Sequence, residues 1–210
     1  MILVKGLRSW LKMILKNTKL RNKLKQIVKE SSELEDIILF GSAVRGKEKP
    51  NDIDILVLFK NKVDKQEGLK IRKELEKECE KVSIISKTRK TVLEESFDAR
   101  ESVLFEGVSL ISAKNPAETY GFVSFGMFKY DFKKWSKLEK TKFYHALNGR
   151  DGKEGMLKIL NCIKLSNNIL MAPIGKVEPL REFLESWKLE YTFIPTIIPH
   201  RLSKKSILQR

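Results

Sequence analysis

The stretch IILFGSAVRGKEKPNDIDILVLF, residues 37–59, limits what this chain can fold into more than any other. Two apolar runs of strand length flank a polar connection that contains Gly46 and Pro50. The first run stops at Gly41-Ser42, and the second opens on Asp52-Ile53-Asp54. Alternate residues of a strand project from the same face, so Asp52 and Asp54 are expected to point together while Ile53 and Ile55 turn toward a core. A buried strand has no use for two carboxylates, but a hard divalent cation such as Mg²⁺ does, because it takes oxygen ligands and shares them with phosphates. Gly41 lets a backbone approach a ligand closely, and Ser42 adds a hydroxyl. The amides of Ser42 and Ala43, at the start of a short helix, make an anion site. A phosphate cradle beside metal carboxylates is the equipment for phosphoryl or nucleotidyl transfer. Arg45 and Lys47 either touch phosphate oxygens there or stand as solvated loop charges.

The segments around this pair read as an α/β unit with a small sheet. Helices are expected from about Leu20 to Lys29, from Lys65 to Lys81 and from Thr91 to Phe105, with strands at Asp36–Phe40, Asp52–Phe59, Val82–Ser86 and Val108–Ser112. Lys114-Asn115-Pro116-Ala117 is the expected boundary. Beyond it lies a second small α+β domain: a strand at Tyr120–Met127, helices at Ser136–Leu147, Lys153–Leu160 and Val177–Trp187, a hairpin pairing Cys162–Ser166 with Ile169–Ala172, and an extended segment, Tyr191–Ile198, interrupted by Pro195. The chain therefore divides into a basic amphipathic helix at 1–19, a first domain at 20–114, a second at 118–199 and a basic tail at 200–210.

Charge narrows the partners. The formal net charge is +15, and an excess of that size repels itself unless it faces a polyanion such as nucleic acid, nucleotide phosphates or an anionic membrane surface. Adaptation to heat would raise both signs together, whereas here only the bases are in excess. Nine Lys and Arg fall in residues 1–30 against the single acid Glu30, and Leu3, Leu7, Trp10, Leu11 and Ile14 recur among them at helical spacing. Docking on RNA or another acidic surface is the expected role of this face. In the second domain Phe122, Phe125, Phe128, Tyr130, Phe132 and Trp135 lie among Lys129, Lys133 and Lys134. Such interleaving can stack bases and contact phosphates, or it can be the core side of a strand.

Other chemistries are disfavoured. Cys79 and Cys162 are far apart and read as buried thiols of a reducing compartment, and His145 and His200 are too isolated for a zinc site or a histidine-centred triad. No apolar run approaches a membrane span, and Lys5, Arg8 and Lys12 interrupt any signal-peptide core. A cytoplasmic protein is expected.

Gly41-Ser42, then Gly46, then Asp52-Ile53-Asp54 resembles the glycine-serine and Asp-x-Asp signature of the DNA polymerase beta-like nucleotidyltransferase superfamily, and above all its minimal members in archaea and bacteria. The likeness covers about residues 20–112. It implies a mixed sheet flanked by helices, a triphosphate held at Gly41 and Ser42, and two Mg²⁺ (or Mn²⁺) ions held by Asp52 and Asp54 as the catalytic pair. The substrate would be an NTP, and the product a nucleoside monophosphate joined to a hydroxyl of RNA, protein or a small molecule. One position departs from the pattern. Catalysing members supply a third carboxylate from the following strand, and here Val82-Ser83-Ile84-Ile85 puts Ser83 in its place. Another acid such as Glu80 or Asp98 replaces it, or the enzyme is slow, or turnover has been lost. The resemblance therefore implies an Mg²⁺-dependent nucleotidyltransferase, with an RNA or ribonucleoprotein binding module of the same fold as the alternative. An antitoxin-like role beside a toxin partner fits less well with the extra C-terminal domain.

Overall fold

The structure, a computed structural model, describes residues 14–45, 52–79 and 81–203. The expected N-terminal amphipathic helix, apart from its last residues, and most of the basic tail lie outside the described residues. The chain divides into two compact units, Met1–Tyr120 and Gly121–Arg210. Among the described residues no helix is long and apolar enough to cross a membrane.

In the first unit α1 (Thr18–Glu30) starts at Asn17, whose side-chain oxygen accepts the Leu20 N–H at 3.0 Å and so satisfies an otherwise orphaned donor. Leu20 and Leu24 turn inward while Lys19, Lys23 and Lys25 stay exposed. Arg21 is structural: its guanidinium donates to the carbonyls of Leu110 and Ile111 at 3.0 Å each. There follow β1 (Leu34–Phe40), α2 (Ser42–Arg45), β2 (Ile53–Phe59), α3 (Lys65–Leu75), β3 (Val82–Thr88), α4 (Arg100–Glu106) and β4 (Val108–Ser109). The sheet order is β3-β2-β1-β4. β1 is antiparallel to β2 and β4, and β2 is parallel to β3, the crossover that α3 supplies. This is the mixed sheet flanked by helices that the sequence implied.

Period-two alternation divides the sheet between two cores. Ile37, Leu39, Ile53, Ile55, Val57 and Phe59 face α1 and α3, where Leu24, Ile71 and Leu75 meet them. Ile38, Phe40, Leu56 and Leu58 face the other way, toward Val92, Phe97 and Val103. That second core explains why the expected helix over Thr91–Phe105 is broken into a 3-10 turn (Thr91–Leu93) and α4. Residues five apart diverge by about 140° on a continuous helix, yet Val92 and Phe97 both enter the same cluster. Similarly α3 ends at Leu75 instead of Lys81, capped at Glu76, and the next turns bring Cys79 into the first core.

The second unit contains β5 (Phe122–Tyr130), α5 (Lys137–Asn148), β6 (Gly149–Arg150), β7 (Lys153–Glu154), α6 (Met156–Ile159), β8 (Ile163–Ser166), β9 (Ile169–Pro173), α7 (Val177–Ser186) and β10 (Tyr191–Pro199). Its antiparallel sheet has the order β10-β5-β9-β8. Pro195 does not interrupt β10, because that strand lies at the edge where a missing N–H is tolerated. α5 carries a reciprocal capping box between Ser136 and Glu139. The expected helix over Lys153–Leu160 is short, since Asp151 (φ 52°) and Gly152 (φ 79°) form the two-residue turn of the β6–β7 hairpin. Phe128, Tyr130, Phe143, Leu147, Leu170 and Leu184 form the core.

Candidate active site

Strand direction decides where the chemistry-bearing residues meet. Because β1 and β2 are antiparallel, Phe40 at the end of β1 pairs with Asp54 near the start of β2. β3 is parallel to β2, so it begins at the same end, and Asp54 is paired with Ser83. Cross-strand partners project from one face. Gly41, Asp54 and Ser83 therefore belong to one corner of the sheet.

Gly41 is required in that corner. Gly41 has φ +75°, and a Cβ built on it would stand 2.5 Å from Asp54 Oδ2 and 3.3 Å from Asp54 Cγ. Both the backbone conformation and the room for the carboxylate require a residue without a side chain. The Val44 N–H donates to the Gly41 carbonyl at 3.1 Å, closing the turn, with Ala43 and Val44 buried beneath it and Ser42 half-buried.

Asp52 is placed differently from the sequence expectation. The β2 ladder starts at Ile53, whose N–H donates to the Lys81 carbonyl at 3.0 Å. Asp52 lies just outside the ladder, exposed, in a bend. It lines a cavity of about 360 Å³ with Arg72, Glu76, Lys81, Val82 and Ser83. Arg72 is held there by donating to the Val82 carbonyl and to Glu76 Oε1, both at 3.0 Å. Arg72 and Lys81 were not singled out from sequence. Only the parallel crossover brings the end of α3 and the start of β3 beside Asp52, and no local pattern announces that.

Arg45 closes α2; the position of its guanidinium, with Gly46, Lys47 and Glu80, lies outside the described residues. Asp98 is exposed, in the turn after Phe97. Among the described residues no three His, Cys, Asp or Glu side chains converge as a metal-holding group.

One further acid shares the Asp54 face, but at the far end, opposite Leu58. Asp36 accepts from the Ser109 hydroxyl at 2.7 Å and from the Ile37 N–H at 2.8 Å. Ser109 Oγ in turn accepts the N–H groups of Ile111 and Ser112. Burial pushes the Asp36 carboxyl above its ordinary range, only partly offset by these bonds. Its role is to lock the turn after β4.

A glycine-serine turn laid against a strand aspartate, on a mixed sheet flanked by helices, defines the fold class of the first unit as nucleotidyltransferase-like. Residues 22–111 match the family model described as Polymerase beta, Nucleotidyltransferase. The N-terminal part of the chain is thus a polymerase beta-like nucleotidyltransferase domain. Comparison with curated proteins finds no match.

Proposed function

We propose that the first unit transfers a nucleoside monophosphate from an NTP to a hydroxyl acceptor. The observation that carries this reading is the contact between Gly41 and the Asp54 carboxylate, at the end of the sheet where β1 stops and β2 and β3 start. Asp52 and Asp54 offer the hard oxygen donors that Mg²⁺ or Mn²⁺ takes, and Gly41, having no Cβ, lets the Asp54 carboxylate lie against the turn. Such an ion, when bound, supplies charge neutralisation at the phosphates and a lowered pKa for an attacking hydroxyl. The Gly41-Ser42 turn, with Arg45 after it, binds the triphosphate. Arg72 and Lys81, lining the cavity beside Asp52, add positive charge for a phosphate or an acceptor. In the transfer the acceptor oxygen forms a bond to the α-phosphorus, the bond to the β-bridging oxygen breaks, pyrophosphate leaves, and the hydroxyl proton passes to solvent.

A second reading has its own support. Ser83, directly opposite Asp54, cannot act as an anionic ligand, which favours a nucleotide-binding module with little or no turnover that docks RNA or another polyanion. The test is incubation with radiolabelled NTPs, Mg²⁺ or Mn²⁺, and total RNA or protein, for the wild type, Ser83→Asp and Asp54→Asn. Label transferred by the wild type and lost in Asp54→Asn supports the enzyme. Transfer by Ser83→Asp alone supports a fold whose catalytic site has decayed, because the substitution returns a carboxylate to the position beside Asp54.

A further inference from the structure

The second unit carries much of the excess charge: residues 121–210 contain seventeen Lys and Arg against eight Asp and Glu. The aromatic-lysine run that drew notice in the sequence is not where that charge is available. Phe125, Phe128 and Tyr130 are buried, Lys133 pairs with Asp131 at 3.5 Å, and Lys134 pairs with Glu190 at 3.4 Å. A different set of residues, from three separate elements, forms a continuous surface. Lys140 Nζ on α5 stands 5.9 Å from the centroid of the Phe132 ring. The Phe132 ring lies 5.8 Å from that of Tyr144, one turn further along α5. Lys164 Nζ on β8 stands 5.0 Å from the Tyr144 ring. Lys137, exposed, falls on the same helical stripe at the i, i+3, i+7 positions with Lys140 and Tyr144. Among the described residues neither Lys140 nor Lys164 lies in an ion pair, in contrast with Lys133, Lys134 and Lys158.

We infer that this α5–β8 surface binds single-stranded nucleic acid, with Lys137, Lys140 and Lys164 on phosphates and Tyr144 stacking a base. Two cations without acidic partners, resting on adjoining aromatic rings, present alternating positive charge and π-faces, the pattern a single strand matches. A duplex hides its base faces and offers phosphates alone. The resting pair also explains how the ring is kept available. A lysine on a half-buried ring such as that of Tyr144 is held by about 1 kcal/mol, whereas a base stacked there gains about 1–3 kcal/mol. Lys164 can therefore move to a phosphate and leave the Tyr144 face to a base. This inference concerns binding alone and stands whether or not the first unit turns over.

The experiment is fluorescence anisotropy of labelled 12-mers of single-stranded RNA and DNA, with a blunt duplex, against the full chain over a range of salt. Binding to either single strand supports the inference, and the stronger of the two identifies the natural source. Lys140→Gln/Lys164→Gln should flatten the slope of log affinity against log salt by about 1.4, from roughly 0.7 per phosphate on a single strand. Tyr144→Leu should weaken binding roughly tenfold. Lys133→Gln/Lys134→Gln removes the same formal charge from ion-paired positions and should change the slope less. If Tyr144→Leu fails to fold, photocrosslinking of 5-iodouridine RNA to the wild-type chain gives the same answer through the peptide that carries Tyr144. Equal effects of the two lysine pairs, a duplex bound as tightly as a single strand, or crosslinks confined to other peptides would overturn the inference.

Discussion

Replacing Gly41 by alanine separates two costs that the candidate active site imposes at one position. The first is the backbone. With φ +75°, an alanine is held in the left-handed region at about 1–2 kcal/mol. The second is contact: the new Cβ would stand 2.5 Å from Asp54 Oδ2, closer than any real Cβ contact, so the carboxylate or the turn must shift by several tenths of an ångström. Overpacking of that kind costs about 1–3 kcal/mol. Gly152 is the matching control, because its φ is +79° and a Cβ there would meet nothing within 4 Å. Gly152→Ala should therefore lose only the backbone amount, about 1–2 kcal/mol, and Gly41→Ala roughly twice that or more. Urea unfolding measures both, and titration with NTP and Mn²⁺ reads the consequence for the site. Displacing the carboxylate by several tenths of an ångström should weaken metal-dependent nucleotide binding in Gly41→Ala, with Gly152→Ala unaffected. Equal losses of stability in the two variants, with nucleotide binding intact in both, would refute the claim that Gly41 is there to admit Asp54.

Asp36→Asn keeps the acceptor for Ser109 and Ile37 but has no charge to desolvate. Because the folded carboxyl titrates above its ordinary 3.8, the wild type loses stability as pH rises through that interval. The variant should then melt higher at pH 7, the gain shrinking as pH falls toward 3.8; a lower melting point at pH 7 would contradict this. Phe143 is fully buried and its ring lies within 6.4 Å of those of Tyr130, Phe132, Trp135, Tyr144, Phe183 and Trp187. Phe143→Ala should cost about 3–5 kcal/mol by denaturant unfolding, and a loss under about 1 kcal/mol would show that the cluster collapses without it. Burial pushes the Cys79 thiol up to about 11, so iodoacetamide at pH 8 should leave Cys79 unlabelled until the chain is unfolded; rapid native labelling would contradict the packing around it.

What could be read from sequence was whatever local pattern fixes by itself. The two apolar runs, the Gly41 turn and the alternation around Ile53 gave β1, β2 and the Asp54 face, because period and turn chemistry act over a few residues. The pairing of Ser83 with Asp54 was expected from the resemblance alone, and the β2–β3 register places the two side by side. Features set by distant packing were not legible. The break between Val92 and Phe97 depends on a second core that only the folded sheet provides. Asp52 reads as a strand residue, yet it lies in a bend just before the ladder, which starts where the Ile53 N–H finds the Lys81 carbonyl beyond the α3 crossover. The same crossover brings Arg72 and Lys81 to the cavity beside Asp52. In the second unit Phe125, Phe128 and Tyr130 proved to be core while Phe122 is exposed, and the surface lysines that lie in no ion pair among the described residues come from α5 and β8, which no run of sequence joins.

The central claim is that Asp54, pressed against Gly41, holds a divalent cation together with a nucleotide. Electron paramagnetic resonance of Mn²⁺ tests it most directly, because bound ion is lost from the free-ion signal whether or not any transfer follows. The account predicts that the wild-type chain depletes free Mn²⁺ in the presence of a non-hydrolysable NTP beyond what the nucleotide does alone, and that Asp54→Asn weakens this by at least about tenfold, or roughly 1.4 kcal/mol. No depletion by the wild type, or the same depletion by Asp54→Asn, would contradict it.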